Sequence, residues 1–464
     1  MHTINALELP EITEIIVGYL NNLEPCLTVC KAWRSLYLPY YWYEAKTGIQ
    51  VSSTGRARSF DPIRHDHYRK FIRVLTVYND LGPINQSFDY PNLRWLRLCC
   101  RRSKNWGKYN TMDPVLKDFV NRHPSLECLD LDYIPHLIMT PAWTALVNHP
   151  RLETMRLRCN RTCEKWLEPV PDGFYPGNII SEDFWRVCTR LRTLDFSGSV
   201  QGCAPKNLVM SSIRRLRLAR LFRISLMNQL DIIVTCPLLE DLDWMQAESG
   251  TYPEWVKFGQ LAAKGTWPHL QRLSIDLHIE DVDLSQVIAS MHQATKIDIS
   301  FGSFGPLSFA ALQRHAGTLQ HLSIPYAMDS QMNRNVLCTF TRLEYLKTGD
   351  LDAKDIAESG PWACTSLRGM SVMISFGSGE DSLQPMVFER VSRLVHLEVL
   401  ENRLDYISGT EPRHGLSFRL QSGMAALASL SQLRRVEFDS DIQDMDVDDA
   451  RWIIDHWKRL ETLR

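Results

Sequence analysis

Leu126-Glu127-Cys128-Leu129-Asp130-Leu131 sets an apolar residue, two variable ones, a leucine, one variable position and another leucine in six residues. The spacing Leu-x-Leu puts two side chains on one face of a short strand and the residue between them on the other. The same phrase stands at Leu93/Leu96/Leu98, Leu152/Met155/Leu157, Leu191/Leu194/Phe196, Ile213/Leu216/Leu218, Leu239/Leu242/Trp244 and Leu270/Leu273/Ile275. A weaker copy is Ala294/Ile297/Ile299. It continues through Leu319/Leu322/Ile324, Leu343/Leu346/Thr348, Leu367/Met370/Val372, Leu394/Leu397/Val399 and Leu433/Val436/Phe438. Ile72/Leu75/Val77 reads as a first copy and Leu460-Glu461-Thr462-Leu463 as a last, unfinished one.

From Ile72 to Leu460 the phrase recurs with a mean period near 28 residues, within the leucine-rich-repeat range. Proline often stands two residues before the first leucine, as at Pro91, Pro124, Pro150, Pro237 and Pro268. Between strands the period becomes helical. Val115, Leu116, Phe119 and Val120 follow Asp113-Pro114 on one face, and Leu284, Val287, Ile288 and Met291 repeat the pattern. Ser308 reads as the cap of a helix carrying Phe309 and Leu312. One such unit cannot bury its own apolar edge, so the units must stack. The expected class is α/β: a leucine-rich-repeat solenoid over 71–464, with a parallel sheet on its concave face and helices on its convex face.

The chain has 464 residues, too many for one ordinary core, which suits a repeat array. Lys plus Arg number 52 and Asp plus Glu 54, for a formal charge of −2. That balance argues against a nucleic-acid partner. No apolar run approaches a membrane span, and Met1-His2-Thr3-Ile4-Asn5 is not a signal peptide. The 12 cysteines include no C-x-x-C pair, and Cys159/Cys163 offers half a zinc site at best. They read as reduced thiols of the cytoplasm or nucleus.

Residues 7–42 lack the repeat phrase. Leu9-Pro10 opens a helix, and Ile12, Ile15, Ile16, Tyr19 and Leu20 form one apolar stripe. Pro25 reopens a second helix carrying Leu27, with Val29, Trp33 and Leu36 at helical spacing. Such a module is too small to be stable alone, so its stripe needs a partner.

Leu9-Pro10-Glu11-Ile12, the Ile/Leu stripe and Val29-Cys30-Lys31-Ala32-Trp33 together resemble an F-box, here joined to leucine-rich repeats as in fungal-type F-box substrate receptors. The resemblance covers 36 residues, and Asn21–Pro25 is shorter than the family usually has. It implies an all-helical F-box over 1–45 and a linker over 46–70. It implies that Leu9, Pro10, Ile12, Ile16, Leu20, Val29 and Cys30 meet a Skp-type adaptor, which joins a cullin scaffold. The repeats would then bind a protein substrate for ubiquitin transfer. The competing reading is an interaction scaffold whose N-terminal helices only cap the solenoid.

Catalysis finds little support: there is no phosphate loop, nucleophile elbow or H-E-x-x-H. The expectation is no catalytic residue, no metal and no cofactor. Asp444, Asp446, Asp448 and Asp449 lack the glycine and final Glu of a calcium loop, and fit the acidic start of a helix. Arg56, Arg58, Arg64, Arg69 and Lys70 make the linker basic. Insertions near 99–113, 159–180 and 401–425 carry Trp106, Tyr109, Trp166, Phe174, Tyr175 and Tyr406, aromatics suited to contact. The broken phrase at Leu460–Arg464 predicts either an incomplete gene product or an exposed final edge.

The middle residue of Leu-x-Leu alternates in sign through six copies: Arg97, Asp130, Arg156, Asp195, Arg217, Asp243. Neighbouring strands lie about 4.8 Å apart, so each interior arginine is expected between two carboxylates, a self-neutralising ladder. Ser274, Asp298, Ser323, Lys347, Ser371, Glu398 and Glu437 break that alternation in the later copies. The later half is therefore the expected place for binding on the concave face.

Overall fold

The computed structural model describes residues 10–20, 23–47, 66–78, 88–99, 112–132, 140–158, 182–197, 204–205, 207–219, 221, 224–245, 253–276, 279–301, 304–325, 328–377, 379–402, 415–438 and 443–464. Leu9, the basic residues Arg56, Arg58 and Arg64, and the six aromatics of the insertions lie outside them. The chain divides into two units, Met1–Cys236 and Pro237–Arg464.

In the first unit the strands are β1 (Glu44–Thr47), β2 (Val74–Tyr78), β3 (Trp95–Cys99), β4 (Cys128–Asp132), β5 (Thr154–Arg158), β6 (Thr193–Ser197) and β7 (Arg215–Ala219). All pair in parallel and in sequence order. The second unit has β8 (Asp241–Met245), β9 (Arg272–Asp276), β10 (Lys296–Phe301), β11 (His321–Ile324), β12 (Tyr345–Asp352), β13 (Gly369–Ser375), β14 (Val399–Asn402), β15 (Arg435–Phe438) and β16 (Thr462–Leu463), again parallel and sequential. Each unit is a leucine-rich-repeat stack.

The phrase sets this register. Leu96/Leu98, Leu129/Leu131, Met155/Leu157 and Leu194/Phe196 stand side by side across the first unit and are all buried. Each fully buried side chain of this kind contributes roughly 1.5–3 kcal/mol. Helices such as Met112–Arg122 and Asp281–Ser290 close the same side with Leu116, Phe119 and Val120, and with Leu284, Val287 and Ile288. Within each unit a strand-start carbonyl accepts two amides from the next repeat, as Arg94 O does from Glu127 N and Cys128 N, and Gln271 O from Thr295 N and Lys296 N.

Four local expectations change. β1 pairs with β2, so the sheet starts at Glu44, inside the stretch assigned to helices and linker. Its phrase is Trp42/Ala45/Thr47, with a small and a polar residue where most other copies carry large apolar ones. Second, Leu400 stands beside Met370 and Val436, and Glu401 beside Ser371 and Glu437. The true copy is Leu397/Leu400/Asn402; Glu398 lies at the strand start, where its carbonyl accepts from Arg434 and Arg435. Asn402 takes the third core position, buried, with its side-chain oxygen accepting from Ile374 N.

Third, Ser308 is not a cap. Its helix starts at Pro306, and Asp281 of the preceding repeat accepts from the amides of Gly305, Leu307 and Ser308. Fourth, the second N-terminal helix is two, α2 (Cys26–Val29) and α3 (Lys31–Tyr41), broken at an extended Cys30. Between β14 and β15 the connection runs through short 3₁₀ turns joined at Gly423. A Cβ there would meet Pro385 Cα at 2.8 Å, at φ +99°.

Candidate interaction surfaces

Helix α1 (Pro10–Tyr19) packs with α2 and α3 around Leu23, Cys26 and Tyr37. Ile16, Val17, Leu27, Trp33 and Leu36 press against that small core. Ile16 therefore faces inward in part, while Ile15 and Tyr19, one turn apart on α1, are 60% and 84% exposed. Leu20, Val29 and Cys30 are exposed as well. Pro10 and Ile12 lie on α1. Cys30 has a second task, since its sulfur accepts from Trp33 N at 3.5 Å and caps α3. The bundle joins the first repeat where Trp42 stacks on Tyr68, 5.0 Å between centroids.

In the first unit the face of the sheet that carries Arg97 and Asp130 is opposite the leucines. Register brings Arg97, Asp130, Arg156, Asp195 and Arg217 side by side in that order. Asp243 lies on β8 of the second unit, beside Ser274. Arg97 reaches Asp130 and Asp132 at 3.5 Å each; Arg158 reaches Asp195 at 3.4 Å and Arg217 reaches it at 4.0 Å. Arg156 lies over the Trp95 ring at 4.9 Å, a cation–π contact two strands away.

The alternation of strand side chains says which way these residues point, but the structure sorts them by depth. Asp130 is 1% exposed and Asp195 7%. The side chains of Arg97 and Arg217 are 37% and 45% exposed. Burial pushes the Asp130 carboxyl up, and Arg158, Arg97 and Arg156 pull it back down.

In the second unit the middle residues run Asp243, Ser274, Asp298, Ser323, Lys347, Ser371, Glu401, Glu437 in register. Serine separates the charges on every strand until Glu401 and Glu437 meet. There Arg435 reaches Glu437 at 2.8 Å and Glu401 at 3.2 Å, and its bond to Glu437 holds the guanidinium pKa up. Beside them a register shift between Lys347 and Asp350 opens a small cavity of about 160 Å³, lined by Lys347, Gly349, Ser371, Glu401 and Arg435. His321 and Tyr345 stack at 4.5 Å on the same face.

Three histidines that the repeat phrase does not include tie neighbouring repeats. His123 accepts from Tyr90 N at 2.9 Å and sits 2.6 Å from Phe119 O. His149 reaches His123 O, and His315 reaches Ile288 O, each at 3.0 Å. Burial lowers the pKa of all three. The only signal in the sequence was His-Pro before two of the phrases, at His123-Pro124 and His149-Pro150.

The acidic run near the C-terminus works as a cap. Asp446 accepts from the amides of Asp448 and Asp449, the Asp449 side chain accepts from Asp446 N, and Arg419 contacts Asp444, Asp446 and Asp449. Among the described residues no group of three or more His, Cys, Asp or Glu could hold a metal ion. The thiols of Cys128, Cys236 and Cys364 are pushed up to about 12 by burial, so they are poor nucleophiles. No described helix is long and apolar enough to cross a membrane.

No protein-family model matches the chain, and no curated protein matches it. Among solved structures, the crystal structure of a TLR13–ssRNA13 complex matches 85% of this chain at 15% identity and a TM-score of 0.38. The chain covers 62% of that structure's chain.

Proposed function

We propose that this chain is the substrate-recognition subunit of a Skp–cullin–F-box type ubiquitin ligase. The division of labour is N-terminal helices over 1–45 for the adaptor, a linker over 46–70 and repeats over 71–464 for a protein substrate, with β1 drawn into the sheet. The chain would work in the cytoplasm or nucleus and supply no catalytic group, the transfer chemistry belonging to its partners. One observation carries the reading: the helical module has filled its own core and still presents Ile15 and Tyr19 to solvent. Large apolar side chains one turn apart on a surface helix have the spacing with which a helix docks into a partner's groove. Leu20, Val29 and Cys30 extend the apolar surface, and Leu9, Pro10 and Ile12 are the remaining positions of the resemblance. Ile16 contributes by holding the bundle.

The scaffold reading has its own support. Trp42 stacks on Tyr68, and Tyr43 O accepts from Arg73 N and Val74 N, so the helices also shield the first repeat. Capping and adaptor binding use different residues and are separable. Co-expression with a Skp-type adaptor and a cullin N-terminal segment should yield a complex that Ile15→Asp/Tyr19→Asp abolishes while the unfolding transition is unchanged. Failure of the unaltered chain to capture the adaptor leaves the capped scaffold.

A further inference from the structure

The ladder of the first unit neutralises itself in number less completely than its alternation suggests. On the open faces of β3–β7 stand Arg97, Arg156, Arg158, Arg215 and Arg217 against Asp130, Asp132 and Asp195, a surplus of two positive charges. At the strand starts Arg94 pairs with Glu127 and Arg192 with Glu153, which adds no negative surplus. Depth increases the asymmetry. The three aspartates are buried, whereas the arginine heads are half-exposed or exposed. A partner approaching this face meets guanidinium groups first, with carboxylates beneath that fix their positions. Arg97 and Arg158 contact these aspartates at 3.4 to 3.5 Å through part of a five-donor guanidinium, and both side chains are about one-third exposed.

We propose that this face docks an acidic protein segment in polyproline II conformation, with Asp or Glu at every third residue. The spacing argues for it. Arginines occupy alternate strands, β3, β5 and β7, and two strand spacings are about 9.6 Å. A polyproline II helix turns once in three residues and rises about 9.3 Å in doing so. Carboxylates at positions i, i+3 and i+6 therefore face one side and meet Arg97, the Arg156/Arg158 pair and Arg217 in turn. A flat β-strand would present alternate residues about 6.6 Å apart, which fits neither one strand spacing nor two. Arg156 rests on the Trp95 ring, which holds its guanidinium beside the middle carboxylate. The small surplus of charge favours three carboxylates over a continuous phosphate backbone, whose binding needs many cations.

The inference rests on the repeats recruiting a protein, and not on the adaptor. The full chain is titrated with fluorescent Pro-rich peptides of identical composition, with Glu spaced every third or every second residue. The third-residue peptide should bind at least tenfold more tightly, with an affinity that falls as salt rises. Arg156→Gln and Arg217→Gln should each weaken it at least fivefold with the folded circular-dichroism spectrum retained. If either variant fails to fold, Thr193→Glu adds a carboxylate to the same face, removes no ladder residue and should weaken binding as much. Equal affinity for the two spacings overturns the proposal. So does a single-stranded RNA of matched length that displaces the peptide at lower concentration. The Ile15→Asp/Tyr19→Asp chain should still bind the peptide, so failure here and failure of the adaptor reading are distinguishable.

Discussion

The two units solve one electrostatic problem in different ways. Middle residues of successive strands are neighbours, and like charges there repel. The first unit alternates sign, Arg97 to Arg217, and buries the carboxylates. The second inserts serine between charges and, where it fails to, bridges Glu401 and Glu437 with Arg435. Alternation makes a continuous charged surface; serine spacing makes an interrupted one, with room for a cavity at the β12 register shift. A continuous charged surface suits a long charged partner, which is why the docking proposal lies in the first unit.

The comparison breaks most visibly at Arg435. Glu437 is 1% exposed, and removing its cation leaves a buried charge beside a like one. Arg435→Ala should destabilise the second unit by about 3 kcal/mol in urea unfolding, and Glu437→Gln in the same chain should recover most of it. A next test contrasts the two patterns. Arg156→Asp would set three carboxylates on consecutive strands and should cost about 2 kcal/mol. Ser323→Asp lies between Asp298 and Lys347, where repulsion and attraction offset, and should cost less than about 1 kcal/mol. Equal costs would mean that charge order matters in neither unit.

A smaller effect comes from the buried histidines, two in the first unit and one in the second. His123 accepts from Tyr90 N, so it must be neutral when folded, and burial lowers its pKa below the ordinary 6.5. The unfolded chain then binds more protons than the folded one just below that value. Stability is complete above pH 6.5 and declines as pH falls through it toward the lowered folded value. Urea midpoints measured from pH 7 to 5 should drop, and His123→Gln should flatten part of the slope.

The repeat architecture was legible because the leucine phrase recurs with its strand spacing intact. Legibility failed where one core position changed chemistry. Ala45 and Thr47 hid β1, and Asn402 in place of a leucine shifted the reading of β14 by three residues, placing Glu398 where Glu401 belongs. Alternation gave the direction of Asp130 and Asp195 but not their depth, which depends on packing from neighbouring strands. At the N-terminus the single apolar stripe expected from the spacing divides. Which members faced inward depended on α2 and α3 folding back, so Ile16 went to the core and Ile15 and Tyr19 to the surface.

The central claim is that the charges on the open face of the first unit act as one ordered ladder. A double-mutant cycle on Arg97 and Asp130, 3.5 Å apart, tests it most directly. With Arg97→Gln, Asp130→Asn and the double variant unfolded in urea at low and high salt, the ladder predicts a coupling of about 1 kcal/mol, moderated by the exposure of Arg97 and reduced by salt. Additive effects within about 0.3 kcal/mol at both salt concentrations would contradict it.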